Sequence, residues 1–104
     1  MTELHREKLI NIVANAALES RLVEIAIREG ATGYTVTDAR GGGASGTQYG
    51  VFDSDSNIHF MMIAPDHLLQ RMLDELSVMI RKGHHMVVYV SNTEVLRKKN
   101  QAPE

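Results

Sequence analysis

The chain has 104 residues, of which 43% are hydrophobic and 23% are charged, and its formal net charge is -2 at pH 7. Single globular domains have this composition, and we expect one domain over residues 1–104. With this net charge, no overall positive field argues for nucleic acid or a membrane surface as a partner. The absence of cysteine excludes disulfides and cysteine nucleophiles. The polar N-terminus and the short apolar runs favour a soluble, cytoplasmic protein.

The first part of the chain predicts a strand, a helix and a second strand. Residues 8–14 are apolar on both alternating faces, which is typical of a central strand. Asn15 suits the N-cap of a helix that ends at Gly30, and residues 34–37 alternate with β propensity. The helix carries one apolar stripe, formed by Leu18, Leu22, Ile25 and Ala26.

The second part of the chain predicts a loop, a strand, a helix and a final strand. Residues 41–57 keep no helical or strand period, so we expect a long loop there. Residues 57–63 and 86–90 are the third and fourth strands, and residues 97–104 are expected to be a flexible tail. Between these two strands lies a helix with an apolar stripe formed by Leu69, Met72, Leu73, Leu76, Met79 and Ile80.

The resulting element order, βαββαβ, predicts an α+β, ferredoxin-like fold. In this plan both helices cover one face of an antiparallel four-stranded sheet. The predicted strands, however, are apolar on both faces, as in residues 8–14 and 57–63. Soluble monomers avoid large exposed apolar patches, so we expect the uncovered face to be buried in a homo-oligomer.

The residues that carry chemistry do not form a catalytic or metal-binding pattern. Residues 53–57 begin like a calcium loop, but Ile58 and Ala64 stand where that loop needs glycine and glutamate. The adjacent histidines at 84–85 have no third ligand at a supporting spacing. The glycines of residues 41–46 lack the lysine of a P-loop. We therefore expect no metal site and no enzyme.

Residues 30–38, which are Gly-Ala-Thr-Gly-Tyr-Thr-Val-Thr-Asp, resemble the end of the first helix and the second strand of the PII signal-transduction proteins. The element order, the long loop after the second strand and the chain length also agree. Residues 55–60 and 91–96 are similar to segments of the SbtB and carboxysome-associated PII-like proteins, which belong to inorganic-carbon uptake. The resemblance covers roughly residues 8–96.

The resemblance implies a homotrimer that binds adenine nucleotides in three clefts between neighbouring subunits. Residues 41–57 would be the T-loop, which engages a protein target such as a bicarbonate transporter or a carboxysome-related protein. Thr32 would face the adenine, residues 61–63 and 87–89 would line the cleft, and basic side chains would hold the phosphates. The implied site residues are Thr32, Gly33, Arg40, Gly41, Gly42, Gly43, Met61, Met62, Ile63, Arg81, Lys82, Val87, Val88, Tyr89, Arg97 and Lys98.

Departures from the family pattern set the expected ligand and leave alternatives open. Founding PII members hold a triphosphate with a Gly-Asp-Gly-Lys turn before the last strand, where this chain has Arg-Lys-Gly-His-His at residues 81–85. AMP, ADP or cyclic AMP is therefore expected rather than ATP, with bicarbonate as a second candidate effector. The T-loop lacks the arginines of the SbtB type, which favours a trimeric scaffold without nucleotide sensing as the alternative. A metal-binding protein of the cation-tolerance type is a third, less favoured hypothesis.

Overall fold

The computed structural model describes residues 2–42 and 56–98. The elements in these ranges are β1 (Thr2–Asn15), α1 (Glu19–Glu29), β2 (Gly33–Ala39), β3 (Asn57–Ala64), α2 (Leu69–Arg81) and β4 (Met86–Lys98), with 3-10 turns at Ala16–Leu18 and Asp66–Leu68. No helix in the same ranges is long and apolar enough to cross a membrane. Most of the predicted T-loop, residues 43–55, and of the predicted tail, residues 99–104, lie outside the described residues.

The four strands form one antiparallel sheet in the order β2-β3-β1-β4. β1 lies inside the sheet, where it pairs with β3 from Lys8 to Asn15 and with β4 from Thr2 to Ala14. β2 pairs with β3 and forms an edge of the sheet. Together with the two helices this arrangement confirms the predicted ferredoxin-like βαββαβ fold.

One face of the sheet packs against both helices and forms the core. Successive strand residues point to opposite faces, and the even-numbered residues of β1 and β3 point to the helices. The predicted stripes supply the other side of the core, although Ile80, expected in the stripe of α2, is 47% exposed. The core side chains are Ile10, Ile12, Ala14, Ile58, Phe60, Met62 and Ala64 from the sheet and Leu22, Ile25, Ala26, Met72, Leu76 and Met79 from the helices.

The predicted start and end signals of the first helix are both present. The Asn15 side chain accepts a hydrogen bond of 2.8 Å from the backbone N–H of Ala17. This bond caps the 3-10 turn, and α1 itself begins after the turn, at Glu19. Gly30 ends α1 with a φ of 87°, in the left-handed region that glycine adopts without a Cβ clash.

β1 and β4 are both longer than predicted, because residues 2–7 pair with residues 93–98 in a two-stranded ribbon. The register places Arg6 opposite Glu94 and Glu3 opposite Arg97. Opposite charges in facing positions suit an antiparallel pair, and the Arg97 side chain also reaches across the ribbon to contact Glu7. Arg97 and Lys98, the first residues of the tail predicted at about 97–104, therefore belong to β4.

The odd-numbered strand residues form the other face of the sheet, which we call the open face. It carries a polar network in which Nε2 of His59 lies 2.9 Å from Oδ1 of Asn11. Nδ2 of Asn11 donates to the backbone oxygen of Tyr89 at 3.5 Å. Tyr89 and the neighbouring Val87 are 50% and 45% exposed. The open face is thus partly polar, and its burial in a homo-oligomer stays a prediction.

A cluster of ion pairs joins α1 to α2. Arg28 contacts Glu75, and Nε of Arg71 lies 3.1 Å from Oε1 of Glu29. The two carboxyl groups also share a hydrogen bond, which raises the pKa of Glu75 and lowers the pKa of Glu29. Glu75 is therefore the partner that keeps its proton to the higher pH. Its retained proton makes the folded state less stable as the pH rises from the ordinary Glu pKa of 4.5 through the raised value.

The substitution Glu75→Gln tests this proton sharing, because an amide keeps a donor toward Glu29 and an acceptor toward Arg28 at every pH. We expect E75Q to raise the melting temperature by about 2 °C near pH 7 and to change it little near pH 4.5. Circular dichroism melts at both pH values measure the difference. Glu24→Gln, on the exposed side of α1, is the matched control for loss of charge. An equal shift of E75Q at both pH values would contradict the shared proton.

Candidate functional site

The predicted site residues lie at two opposite ends of the sheet. Thr32 directly precedes β2, whose first residue pairs with Ile63 near the end of β3. Arg40, Gly41 and Gly42 directly follow β2, beside the first residue of β3. The seven residues of β2 separate these ends by about 20 Å, at about 3.3 Å per residue. We call them the Thr32 end and the loop end.

At the Thr32 end, one buried carboxylate joins two of the predicted residues. The hydroxyl of Thr32 donates a hydrogen bond of 2.8 Å to Oε1 of Glu7, and the Arg97 guanidinium contacts Oε2 of the same group. Glu7 is 4% exposed and Arg97 is 8% exposed. The backbone N–H of Thr32 donates to the oxygen of Ile63 at 2.7 Å, which fixes this group to the sheet. A buried charge needs an opposite partner, and each ion of this pair supplies it to the other.

Glu7 also lines a cavity of about 720 Å³ at the same end of the sheet. Nζ of Lys8 lies 2.5 Å from Oδ1 of Asn92 and 3.3 Å from Oδ1 of Asp66, so the cavity wall is held by polar contacts. The volume is within the range of small-molecule sites, and the mixed charges suit a polar ligand. The lining residues are Arg6, Glu7, Lys8, Asp66, Asn92, Thr93 and Glu94.

The loop end carries exposed basic side chains from two elements. Arg40 follows β2, while Arg81 ends α2 and Lys82 follows it, and all three are exposed. β4 begins at this end, because its first residue pairs with the end of β1. In the turn before β4, Nε2 of His84 lies 2.9 Å from Nη1 of Arg21. This concentration of cations can attract an anionic group such as a phosphate.

Strand alternation divides the predicted cleft walls between the two faces of the sheet. Met62 is fully buried in the core, and Val88 packs against the core. Their side chains are therefore not available to a ligand on the open face, which corrects the expectation that all of residues 61–63 and 87–89 line the cleft. The members that remain on the open face are Met61, Ile63, Val87 and Tyr89.

The predicted glycines are placed at both ends. Gly33 begins β2 at the Thr32 end, and a Cβ there would meet no atom within 4 Å. The same is true of Gly42 at the loop end, so neither position requires glycine within one subunit. Gly43 lies outside the described residues, and Lys98 is the last residue of β4.

Glu7 is the principal site residue that the sequence does not indicate. Its segment is polar, and the predicted β1 begins one residue later, at Lys8. Its partners lie 25 residues and 90 residues further along the chain, at Thr32 and Arg97. The only signal in the sequence is the set of opposite charges in residues 3–7 and 94–97, whose pairing depends on the register of β1 and β4.

Within residues 2–42 and 56–98, no group of three or more His, Cys, Asp or Glu side chains could hold a metal ion. His84 contacts Arg21, as described above. The first residues of the calcium-like segment, 53–55, lie outside the described ranges.

Comparison with known proteins identifies the family. The family described as nitrogen regulatory protein P-II matches residues 7–100. A PII-like signaling protein of Thermus thermophilus, TTHA0516, is 36% identical; the match covers 89% of this chain and 91% of that one, with a TM-score of 0.72. A comparison with curated proteins gives no match. The chain belongs to the P-II family of regulatory proteins.

Two structures of CPII, a nitrogen regulatory PII-like protein from Thiomonas intermedia K12, share the fold. The apo form is 22% identical, with 93% of this chain and 99% of that one covered and a TM-score of 0.75. The form bound to ADP and bicarbonate is 24% identical. The match covers 89% of this chain and 91% of that one, with a TM-score of 0.74.

Alanine substitutions at neighbouring methionines test the division between core and open face. We expect Met62→Ala to lower the free energy of unfolding by about 2–5 kcal/mol, because it leaves a cavity in a packed core. Met61→Ala removes a side chain that is only half-buried on the open face, so it should cost clearly less than Met62→Ala. Urea denaturation of both variants measures the losses. Equal losses would show that the alternation is misassigned.

Proposed function

We propose that this P-II family member forms a homotrimer, binds adenine nucleotides in the clefts between its subunits, and signals to a protein target through its T-loop. AMP, ADP or cyclic AMP is the proposed ligand, and bicarbonate is a second effector. The proposed target acts in inorganic-carbon uptake or fixation, as a bicarbonate transporter or a carboxysome-related protein. The chain acts in this proposal as a cytoplasmic regulator of the SbtB type and not as an enzyme.

The observation that carries the proposal is the separation of the predicted residues into two half-sites. Thr32 and the open-face residues beside it lie at one end of β2, and Arg40 lies at the other, about 20 Å away. One bound nucleoside monophosphate cannot bridge that distance within a single subunit. If the Thr32 end of one subunit faces the loop end of the next, each cleft contains one Thr32 end and one loop end, and therefore both half-sites. A closed cyclic trimer repeats this head-to-tail contact three times.

The open face supports the same assembly. Val87 and Tyr89 are about half exposed in the single subunit, and Met61 and Ile63 are half-buried on the same face, across β1 from them. Burial of these apolar side chains against neighbouring copies would remove a surface that soluble proteins rarely leave exposed. The network of Asn11 with His59 satisfies polar groups that such burial would otherwise leave without partners.

The ligand class is supported by what relatives bind. CPII was solved with ADP and bicarbonate and, in another structure, with ADP, AMP and bicarbonate. This chain keeps exposed cations at the loop end but has no Gly-Asp-Gly-Lys turn at residues 81–85. A mono- or diphosphate therefore suits it better than a triphosphate. Bicarbonate in CPII supports the connection to inorganic carbon.

One contact favours the alternative of a trimeric scaffold without nucleotide sensing. Arg97, a candidate to hold phosphate, is buried and paired with Glu7. A guanidinium that a carboxylate already neutralises is a weaker anion site than a free one. The scaffold hypothesis thus interprets the ion pair as purely structural.

Isothermal titration calorimetry distinguishes the two hypotheses. We expect AMP, ADP or cyclic AMP to bind the wild-type trimer at micromolar concentration and ATP to bind more weakly, with affinities that change when bicarbonate is added. Native mass spectrometry of the same sample establishes the number of subunits. A stable trimer that binds none of these nucleotides at millimolar concentration would establish the scaffold hypothesis instead.

A mixing experiment tests whether the clefts lie between subunits. Gly33→Leu should block the Thr32 end and Gly42→Leu the loop end, because both positions have open space within the subunit. Neither homotrimer should bind AMP. In trimers formed from an equal mixture of refolded variants, about a quarter of the clefts combine two unmodified halves, so binding should return to that extent.

The control is a mixture prepared from the two preformed homotrimers without refolding, which contains no such cleft. Binding that stays absent in mixed trimers of confirmed composition would place each site within one subunit.

A further inference from the structure

We infer that the Glu7 carboxylate competes with the phosphate of the bound nucleotide for the Arg97 guanidinium. In the ligand-free chain its carboxylate occupies the Arg97 guanidinium, and the phosphate binds Arg97 by displacing it. This inference rests on the proposed function, which supplies the nucleotide, and deepens it by naming the residue that regulates its affinity.

The present and the proposed partner of Arg97 are chemically alike. The Arg97 guanidinium contacts the Glu7 carboxylate through Nη2 and Oε2. Arginine binds carboxylates and phosphates with the same planar set of N–H donors. A guanidinium engaged by Glu7 therefore presents fewer donors to a phosphate until the carboxylate moves away.

The geometry of the pair is incomplete. Nη1 of Arg97 is buried and makes no hydrogen bond within the described residues, since the contact with Glu7 goes through Nη2. Buried polar atoms without partners destabilise the state that contains them. A phosphate has three peripheral oxygens and can accept from both Nη1 and Nη2. Exchange of the carboxylate for a phosphate would thus satisfy a donor that Glu7 leaves unused.

The Glu7 carboxylate also connects Arg97 to the adenine end of the proposed ligand. The other oxygen of Glu7, Oε1, accepts the hydroxyl hydrogen of Thr32 at 2.8 Å. Thr32 is the residue that the family resemblance places at the adenine. One carboxylate therefore contacts both a residue proposed to face the base and a residue proposed to hold the phosphate.

This arrangement would raise the apparent dissociation constant of ligands that contain a phosphate but not of ligands without one. If Arg97 is free in only a fraction of the molecules, the apparent dissociation constant of a phosphate ligand rises by the inverse of that fraction. Adenosine, which makes no contact with Arg97, does not incur this cost. Removal of the Glu7 charge should therefore tighten the binding of AMP but not the binding of adenosine.

The substitution Glu7→Gln tests the inference, because the amide oxygen can still accept from Thr32 while the charge that holds Arg97 is lost. We expect calorimetry to show AMP and inorganic pyrophosphate binding about tenfold more tightly to E7Q than to the wild type. Adenosine should bind both proteins equally, within about twofold.

The matched control is Glu94→Gln. Glu94 lines the same cavity and carries the same charge, but it lies three residues before Arg97, on the other face of β4. We expect E94Q to change the affinity for AMP by less than about twofold. An equal gain in E94Q would mean that the net charge of the cavity, and not the contact with Arg97, controls affinity, and would overturn the inference.

Unchanged AMP and pyrophosphate affinities in folded E7Q would also overturn it. Weaker binding of both AMP and adenosine would overturn it too, since Glu7 would then contact the ligand directly. If E7Q does not fold, Glu7→Asp replaces it: the shorter carboxylate keeps the charge but cannot hold both partners, so a smaller gain for AMP is expected, and no gain contradicts the inference.

Pyrophosphate separates this inference from the proposed function. A wild-type trimer that binds no adenine nucleotide, while E7Q gains pyrophosphate affinity, would refute the nucleotide proposal and support the competition at Arg97. If the wild type binds AMP and E7Q shows no gain in affinity, the nucleotide proposal is supported and the competition at Arg97 is refuted.

Discussion

The alternation of side chains along β1 is the constraint on which the rest of the structure depends. β1 pairs with β3 on one side and with β4 on the other, so its register sets the faces of three strands together. Ile10 and Ile12 enter the core beneath the helices, while Asn11 belongs to the open face. A shift of one residue would exchange these two sets. The same register places Glu7 where it meets Thr32 and Arg97.

Much of the fold could be predicted because its signals are local. The stripe from Leu69 to Met79 and the cap at Asn15 depend on neighbours within a few residues, and both lead to elements that the structure contains. The ribbon of residues 2–7 and 93–98 depends on pairing between the two ends of the chain, which no local period records. Local patterns therefore predict its strands too short and assign the Arg97 position to a tail.

Some residues of the candidate site could likewise be predicted from the sequence, and others could be found only in the structure. The family resemblance draws attention to Thr32 and Arg40, but a motif gives positions along the chain and not the face of the sheet on which each side chain lies. Burial of Met62 in the core follows only from the pairing of β3 with β1. Glu7 could not be found without the structure, because its importance comes from two partners that are distant in sequence.

In the proposed trimer, the split between the Thr32 end and the loop end would connect ligand binding to assembly. A ligand that contacts the Thr32 end of one subunit and the loop end of the next binds only the assembled form. Such a ligand stabilises the assembly by mass action. Glu7 adds a second level to this linkage. Its contact with Arg97 gives each of two buried ions an opposite partner, and in our inference the same contact would oppose a phosphate. A regulator benefits from such opposition, because an affinity that is too high would leave the clefts filled at every nucleotide concentration. In that case one carboxylate would both pair a buried guanidinium and set the sensitivity of the cleft to the nucleotide concentration.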